Sequence, residues 1–263
     1  MRIIDFHTHA FPDAVALRAI PQLEQEGDIK AVLDGRVSSL LASMDRAGVE
    51  VSVVASIATR PDRFETILDW SKSIASDRLV VFPSVHPAAP DLDAQVRRIA
   101  AEGFKGLKLH PYYQDFFVDE DRLAPLYAAA QDTGLMVLMH TGFDLAFERV
   151  RRGDPTQIRR VLDAFPKLKL ITSHLLAWMD WDEVRRVLLG QPVYTDVSMS
   201  IESMPPEMAR ELILAHPREY LLFGTDSPWI DQAAHIALVR SLNLGADYEA
   251  AMFHENAERL LGV

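Results

Sequence analysis

Short runs rich in β-branched residues alternate with amphipathic stretches from one end of this chain to the other, and that alternation constrains the fold more than any single residue. Eight such runs stand out, at residues 2–6, 49–55, 79–83, 106–109, 135–139, 168–172, 193–196 and 220–223. Helical periodicity occupies 62–73, 92–101, 121–132, 155–164, 182–188 and 205–215 between them. Gly48, Gly103, Gly134 and Pro166 act as stop signals ahead of the following strand. Eight strands with intervening helices predict an α/β fold, the closed (β/α)8 TIM barrel, whose active face lies at the carboxyl ends of the strands. With 263 residues, 49% of them hydrophobic, the chain has the size and core of one such barrel. No linker, internal repeat or charge run marks a boundary, so residues 1–263 are expected to form a single domain. The longest excursion, residues 11–33, is expected to add helices near the mouth.

A formal charge of −11 disfavours nucleic acid as the main partner, because that affinity rests on Lys and Arg neutralising phosphates. A small-molecule substrate is the preferred reading, and homo-oligomerisation is left open. There is no cysteine, so any metal must be held by nitrogen and oxygen ligands, and a reducing, cytoplasmic setting is expected. The first strand begins at Arg2, leaving no room for a secretory leader, and no apolar run is long enough for a membrane span.

A barrel enzyme should collect its ionisable residues where strands end. His7, His9, His86, Lys108, His110, His140, His174, Asp196 and Asp226 all fall there, including six of the nine histidines, whereas His216, His235 and His254 are scattered. Strand side chains alternate between faces, so His7 and His9 project the same way and can grip one ion. In isolation such a pair is equally a surface or core feature. Joined by His140 after the fifth strand and Asp226 after the eighth, it supplies three nitrogens and one carboxylate. That set suits a divalent ion, Zn²⁺ being preferred, with a position left for water. The bland alternative for Asp226 is a helix cap in Gly224-Thr225-Asp226-Ser227-Pro228.

His174 ends the sixth strand, where it can be a ligand to a second ion or a general base. Lys108 and His110 also share a face. Lys108 is read as a carbamylated bridge between two ions, as an ammonium for an anionic substrate, or as a residue turned to the helical layer; His110 is the stronger catalytic candidate. Residues 111–117 form an aromatic-rich loop that can wall a pocket. Asp5, two before His7, is expected to face the interior and accept a ring N–H from a ligand histidine. Arg149, Arg151 and Arg152 lie in a polar loop after His140 and are read first as solvated surface, with recognition of an anionic substrate as the alternative.

These segments resemble the amidohydrolase superfamily, and within it the amidohydrolase-related metal-dependent hydrolases. The resemblance is carried by D-F-H-T-H at 5–9, G-F-K-G-L-K-L-H-P at 103–111, L-M-H-T-G at 138–142, T-S-H at 172–174 and F-G-T-D-S-P-W at 223–229. It implies that His7, His9 and His140 bind metal, that Asp226 binds metal or water and shuttles a proton to the leaving group, and that His174 is a second-site ligand or base. One or two ions are implied. Similar proteins carry Gly-Gly-Trp after the sixth-strand histidine, where this chain reads Leu175-Leu176-Ala177-Trp178, a change expected to narrow the pocket or alter backbone approach to a ligand. TatD-like nucleases place a metal-bridging glutamate after the fourth strand, where this chain has Lys108 and His110. The reading is a metal-dependent hydrolase that activates water against a small, neutral or anionic, ester, lactone or amide. Its alternatives are a metal-dependent decarboxylase of an unsaturated or aromatic acid and a metal-binding barrel without activity.

Overall fold

The computed structural model describes Met1–Val263 and contains all eight expected strands: β1 (Ile4–Thr8), β2 (Val51–Ala55), β3 (Leu79–Phe82), β4 (Gly106–Leu109), β5 (Met136–Met139), β6 (Lys169–Thr172), β7 (Tyr194–Asp196) and β8 (Leu221–Leu222). All pair in parallel and in chain order, as ladders β1-β2-β3 and β4-β5-β6-β7-β8. Backbone bonds close both seams. Lys108 N–H donates to Pro83 O at 2.8 Å between β4 and the end of β3, and Phe6 N–H donates to Phe223 O at 2.8 Å between β1 and β8. The result is the (β/α)8 barrel that the strand spacing predicts.

Outside it lie α1 (Asp13–Gly27), α2 (Val37–Ala47), α3 (Phe64–Ile74), α4 (Leu92–Ala101), α5 (Ala124–Thr133), α6 (Pro155–Ala164), α7 (Trp181–Val187), α8 (Pro206–Ala215), α9 (Gln232–Ser241), α10 (Ala246–Ala250) and α11 (Asn256–Leu261). Helices α3 to α8 occupy the periodic segments. Helices α2 and α9 to α11 lie outside the periodic segments read from the sequence; α9, for example, is alanine-rich and carries the fully buried His235 on its apolar side. The first excursion yields α1 alone, and Leu23 and Gly27 from it reach the barrel mouth. No helix is long and apolar enough to cross a membrane.

Three apolar layers hold this arrangement. Ile4, Phe6, Val53, Phe82, Leu138 and Ile171 belong to one cluster, in which Phe6 and Phe82 meet edge to face at 5.9 Å. Alternate residues of β4 to β6, such as Leu107, Leu109, Val137 and Leu170, join Val96, Leu126 and Ile158 of α4, α5 and α6 in a second. Leu221 and Phe223 pack with α8 and α9 in the third. Each fully buried Leu, Ile or Phe contributes about 1.5–3 kcal/mol of transfer free energy.

The register of β1 has a consequence for the site. Asp5 pairs with Ser52 and Thr8 with Val54, so three steps along β1 face two along β2, which is a β-bulge. Strict alternation is broken there. Phe6 joins the interior cluster and His7 lines the cavity, while Asp5 is turned to α9, where it accepts bonds from Gln232 Nε2 (2.8 Å), Thr225 Oγ1 (2.6 Å), Thr225 N (3.0 Å) and His7 N (3.3 Å). The expectation that Asp5 orients a ligand histidine ring is therefore corrected: it braces β1 against the loop after β8.

Burial pushes the Asp5 carboxyl from 3.8 up to about 6, despite those four donors. The native state then holds an extra proton between roughly pH 4 and 6. This group's stabilising contribution is full below about pH 4 and is lost as pH rises through about 6, by roughly 3 kcal/mol. Asp5→Asn is expected to remove that slope. In urea unfolding across pH 4 to 7, the unmodified protein should lose roughly 3 kcal/mol relative to the variant as pH rises; parallel curves would refute the raised value.

Candidate metal centre

The carboxyl ends of the strands open into a cavity of about 780 Å³, counting the space open to solvent at its mouth. His7, His9, Lys108, His110, His140, His174 and Asp226 all line it, so the structure brings together the catalytic and metal-ligand candidates read from the sequence. His86 stands apart, its Nδ1 accepting the Ala88 N–H at 3.1 Å in a local turn.

Hydrogen bonds to obligate acceptors set the tautomer of each central histidine. His9 Nδ1 donates to Ala55 O at 2.7 Å, His174 Nδ1 to Ser198 O at 3.0 Å, and His140 Nε2 to Phe143 O at 3.0 Å. His7 Nδ1 donates to Asp196 Oδ2 at 2.9 Å; although burial opposes it, the His7 interaction holds the Asp196 carboxyl below its usual range, so it remains an acceptor. Four ring nitrogens keep their lone pairs: His7 Nε2, His9 Nε2, His174 Nε2 and His140 Nδ1.

The lone pairs of His9, His140 and His174 face other acceptors, and that of His7 lies between Asp226 and Lys108 Nζ, the latter 3.0 Å away. His9 Nε2 lies 3.0 Å and His7 Nε2 3.5 Å from Asp226 Oδ1, and His174 Nε2 lies 3.1 Å from His140 Nδ1. Acceptors this close and this buried repel unless a cation lies between them. At His7 and His140 protons are a poor solution, because burial, reinforced by the charge of Lys108, drives His7 down to about 4, and burial drives His140 well below its usual value. Asp226 is held well below the carboxylate range by His7 and His9, against the effect of burial, and stays anionic. Nitrogen and carboxylate donors converging in fixed tautomers fit a divalent ion of the Zn²⁺ type. Three donor groups converge here: His7, His9 and Asp226; His7, His174 and Asp196; and His110, His140 and Asp144, with His140 Nδ1 and His174 Nε2 3.1 Å apart.

Lys108 is fully buried and points into the cavity, not to the helical layer; its Nζ is 3.0 Å from His7 Nε2. Burial lowers it to about 8, against the pull of Asp226, Asp196 and Asp144. His110 stacks on His140 with ring centroids 4.1 Å apart, and its Nε2 is 3.3 Å from Asp144 Oδ2. Asp144 is a site residue that strand-end reading misses, because it stands four residues into the loop after His140. Asp196 was legible as a rim carboxylate, but its role as the partner of His7 depends on barrel closure, which leaves only β8 between β7 and β1.

The three arginines of that loop are committed elsewhere. Arg151 pairs with Asp180 at 2.8 Å, Arg152 with Asp115 at 2.7 Å, and Arg149 covers the Phe143 ring at 4.3 Å. None lines the cavity, which agrees with the surface reading, although the Phe143 ring that Arg149 covers is part of the cavity wall.

The segment after β6 departs from glycine without giving up glycine-like geometry. His174, Leu175 and Leu176 have φ of 59°, 50° and 76°, each a left-handed conformation costing on the order of 1 kcal/mol for a non-glycine residue. Backbone bonds from Leu175 N to Asp196 O (2.7 Å) and from Leu176 N to Thr195 Oγ1 (2.7 Å) hold it. The leucine side chains do not narrow the pocket; each is fully buried in a separate apolar cluster. Trp178 then enters the wall, its backbone seated on Gly142, where a Cβ would lie 2.0 Å from Trp178 N.

No curated protein sequence matches this chain. Among solved structures it is similar to an uncharacterized TIM-barrel protein from Bordetella bronchiseptica, with a TM-score of 0.77 at 22% identity over 100% of this chain and 99% of that one. It is also similar to 5-carboxyvanillate decarboxylase from Sphingomonas paucimobilis, with a TM-score of 0.74 at 17% identity over 100% and 99% of the two chains. A third similar structure is a protein from Pseudomonas putida provisionally named a 2-pyrone-4,6-dicarboxylic acid hydrolase, with a TM-score of 0.67 at 16% identity over 99% and 97%. At these identities the likeness concerns the fold alone. The family model for amidohydrolases matches residues 4–263, and the chain therefore belongs to the amidohydrolase family.

Proposed function

We propose that this chain is a metal-dependent hydrolase acting on the carbonyl of a small ester, lactone or amide. The observation that carries the reading is the convergence of four imidazole lone pairs and the anionic Asp226 at the floor of an open cavity. His7, His9 and Asp226 would hold one divalent ion, Zn²⁺ by donor type, with His140 and His174 completing its shell or holding a second. When bound, the ion would lower the pKa of water and polarise the scissile carbonyl. Asp226 takes the proton of the attacking water at a carboxylate oxygen and returns it to the leaving group. His174, fixed by Ser198 O, orients the water or shares the second ligand set. Asp196 keeps His7 in the tautomer that leaves Nε2 free. Lys108 places a positive charge beside the reacting end, and the apolar walls above exclude bulk water.

Decarboxylation of an unsaturated or aromatic acid is the second reading. It is favoured by the single buried ammonium of Lys108 beneath apolar walls, which can seat a carboxylate and leave it poorly hydrated. Turnover in ¹⁸O-labelled water separates the two. Label in the product supports hydrolysis, and carbon dioxide release without label supports C–C cleavage. A metal-loaded protein inert on both ester, lactone and amide panels and carboxylic acid panels would defeat both readings and leave a binding barrel.

A further inference from the structure

The glycine at the carboxyl end of α1 stands one residue away from where a helix stop needs it, and its position bears on the substrate, on the footing that the cavity is the reaction centre. A helix that ends on a left-handed residue commonly has glycine there, because glycine takes positive φ without strain. In α1 that residue is Asp28, at φ 47° and ψ 44°, and its N–H donates to Glu24 O. Gly27 still lies within the helix, where glycine is less favourable than alanine. Its missing side chain therefore meets a need for space and not for backbone conformation.

That space opens into the cavity. Gly27 is one of the lining residues, and a Cβ built on it would lie 3.3 Å from Ile29 Cγ2 and 3.7 Å from Leu145 Cβ. Leu23 and Gly27 of α1, with Ile29 just beyond it, thus face Leu145 and Ala146 of the loop after β5 across a seam at the mouth. Because Ile29 and Leu145 both come within contact of one point, the passage there is narrow, suited to a chain and not to a ring. Leu145 is 47% exposed, so this aliphatic strip runs from the interior of the cavity out to solvent. No backbone hydrogen bond bridges the two segments, and an apolar group can enter between them without displacing a polar contact.

We propose that the seam between the end of α1 and the loop after β5 is a subsite for a linear aliphatic chain on the substrate, and that Gly27 is a specificity-determining residue that keeps it open. Within the hydrolase reading, the substrate class becomes an ester, lactone or amide that bears an acyl or alkyl chain beside the reacting carbonyl. Each methylene taken out of water raises affinity about fourfold, so burying about two of them gives tenfold or more.

Titration calorimetry of the full-length Zn²⁺-loaded protein with acetohydroxamate and octanohydroxamate reads this without turnover, since both carry the same metal-binding group. Octanohydroxamate is expected to bind at least about tenfold more tightly. Gly27→Ala, which favours the helix and so preserves the fold, should cut that ratio at least about threefold while leaving acetohydroxamate affinity within about twofold of the parent. Leu145→Ala, at the exposed rim of the same seam, should lower octanohydroxamate affinity by about three- to tenfold and leave acetohydroxamate unaffected. Equal affinity for the two ligands in the unmodified protein, absence of heat with both, or a Gly27→Ala variant that weakens both alike or neither, as a glycine serving only helix packing would, overturns the proposal. A protein that shows the chain preference yet hydrolyses nothing retires the hydrolase reading alone; an active hydrolase indifferent to chain length retires this inference alone.

Discussion

Exchanging His7 and His9 together for alanine is expected to abolish stoichiometric metal binding. Elemental analysis of the unmodified protein should find one or two divalent ions per chain, and the double variant should fall to background, with affinity lowered by more than about 10²-fold. That floor follows because loss of an outer partner of a ligand histidine alone costs 10- to 100-fold. Asp196→Asn, which leaves His7, His9 and Asp226 in place but replaces the charged acceptor of the His7 Nδ1–H by a neutral amide, should show this smaller loss. The physical basis is the convergence of His9 Nε2 at 3.0 Å and His7 Nε2 at 3.5 Å on Asp226 Oδ1, a donor group that one divalent ion can occupy. Circular dichroism must show a folded double variant. Because removing two rings relieves acceptor repulsion in the ion-free state, the ion-free double variant should be no less stable than the ion-free parent in that part of the site. Unchanged ion content in the double variant would overturn the assignment of the site.

Asp226→Asn is expected to lower kcat/KM by about 10²–10⁴-fold on any ester, lactone or amide that the protein turns over, assayed at saturating metal. The amide keeps the shape and a coordinating oxygen but cannot accept the water's proton. Asp226 is held well below the ordinary carboxylate range by His7 and His9, so in the ion-free protein it is already ionised throughout neutral pH and available as a base. Asn at this position also weakens metal binding, which is why the comparison is made at saturation. Turnover within about tenfold of the parent would move the proton to His174 and reduce Asp226 to a ligand.

Much of the fold and part of the site were legible without coordinates. The β-branched runs lie within a few residues of the eight strands, because a strand buried on both faces leaves a continuous apolar signature. The rim residues follow from that count, since a parallel barrel presents the residue after each strand to one mouth. Local geometry was less legible. Asp5 follows the two-residue period on paper and leaves it in the molecule, because a bulge between Asp5 and Thr8 depends on pairing with β2. Asp144 gave no strand-end signal, since its approach to His110 depends on how the loop after β5 folds back over the mouth. The arginines near it looked like a cationic patch, and acids distant in sequence, Asp115 and Asp180, draw two of them outward.

By itself, the amino-acid sequence determined the barrel and the ionisable residues that stand at its strand ends, because periodicity and strand-end position are local properties of a chain. Tertiary structure alone decided which nitrogen of each histidine is free, and which carboxylates support and which face the cavity. Those properties arise from hydrogen bonds and ion pairs between residues up to about two hundred positions apart, such as His7 with Asp196 and Asp5 with Thr225, and no local pattern encodes them.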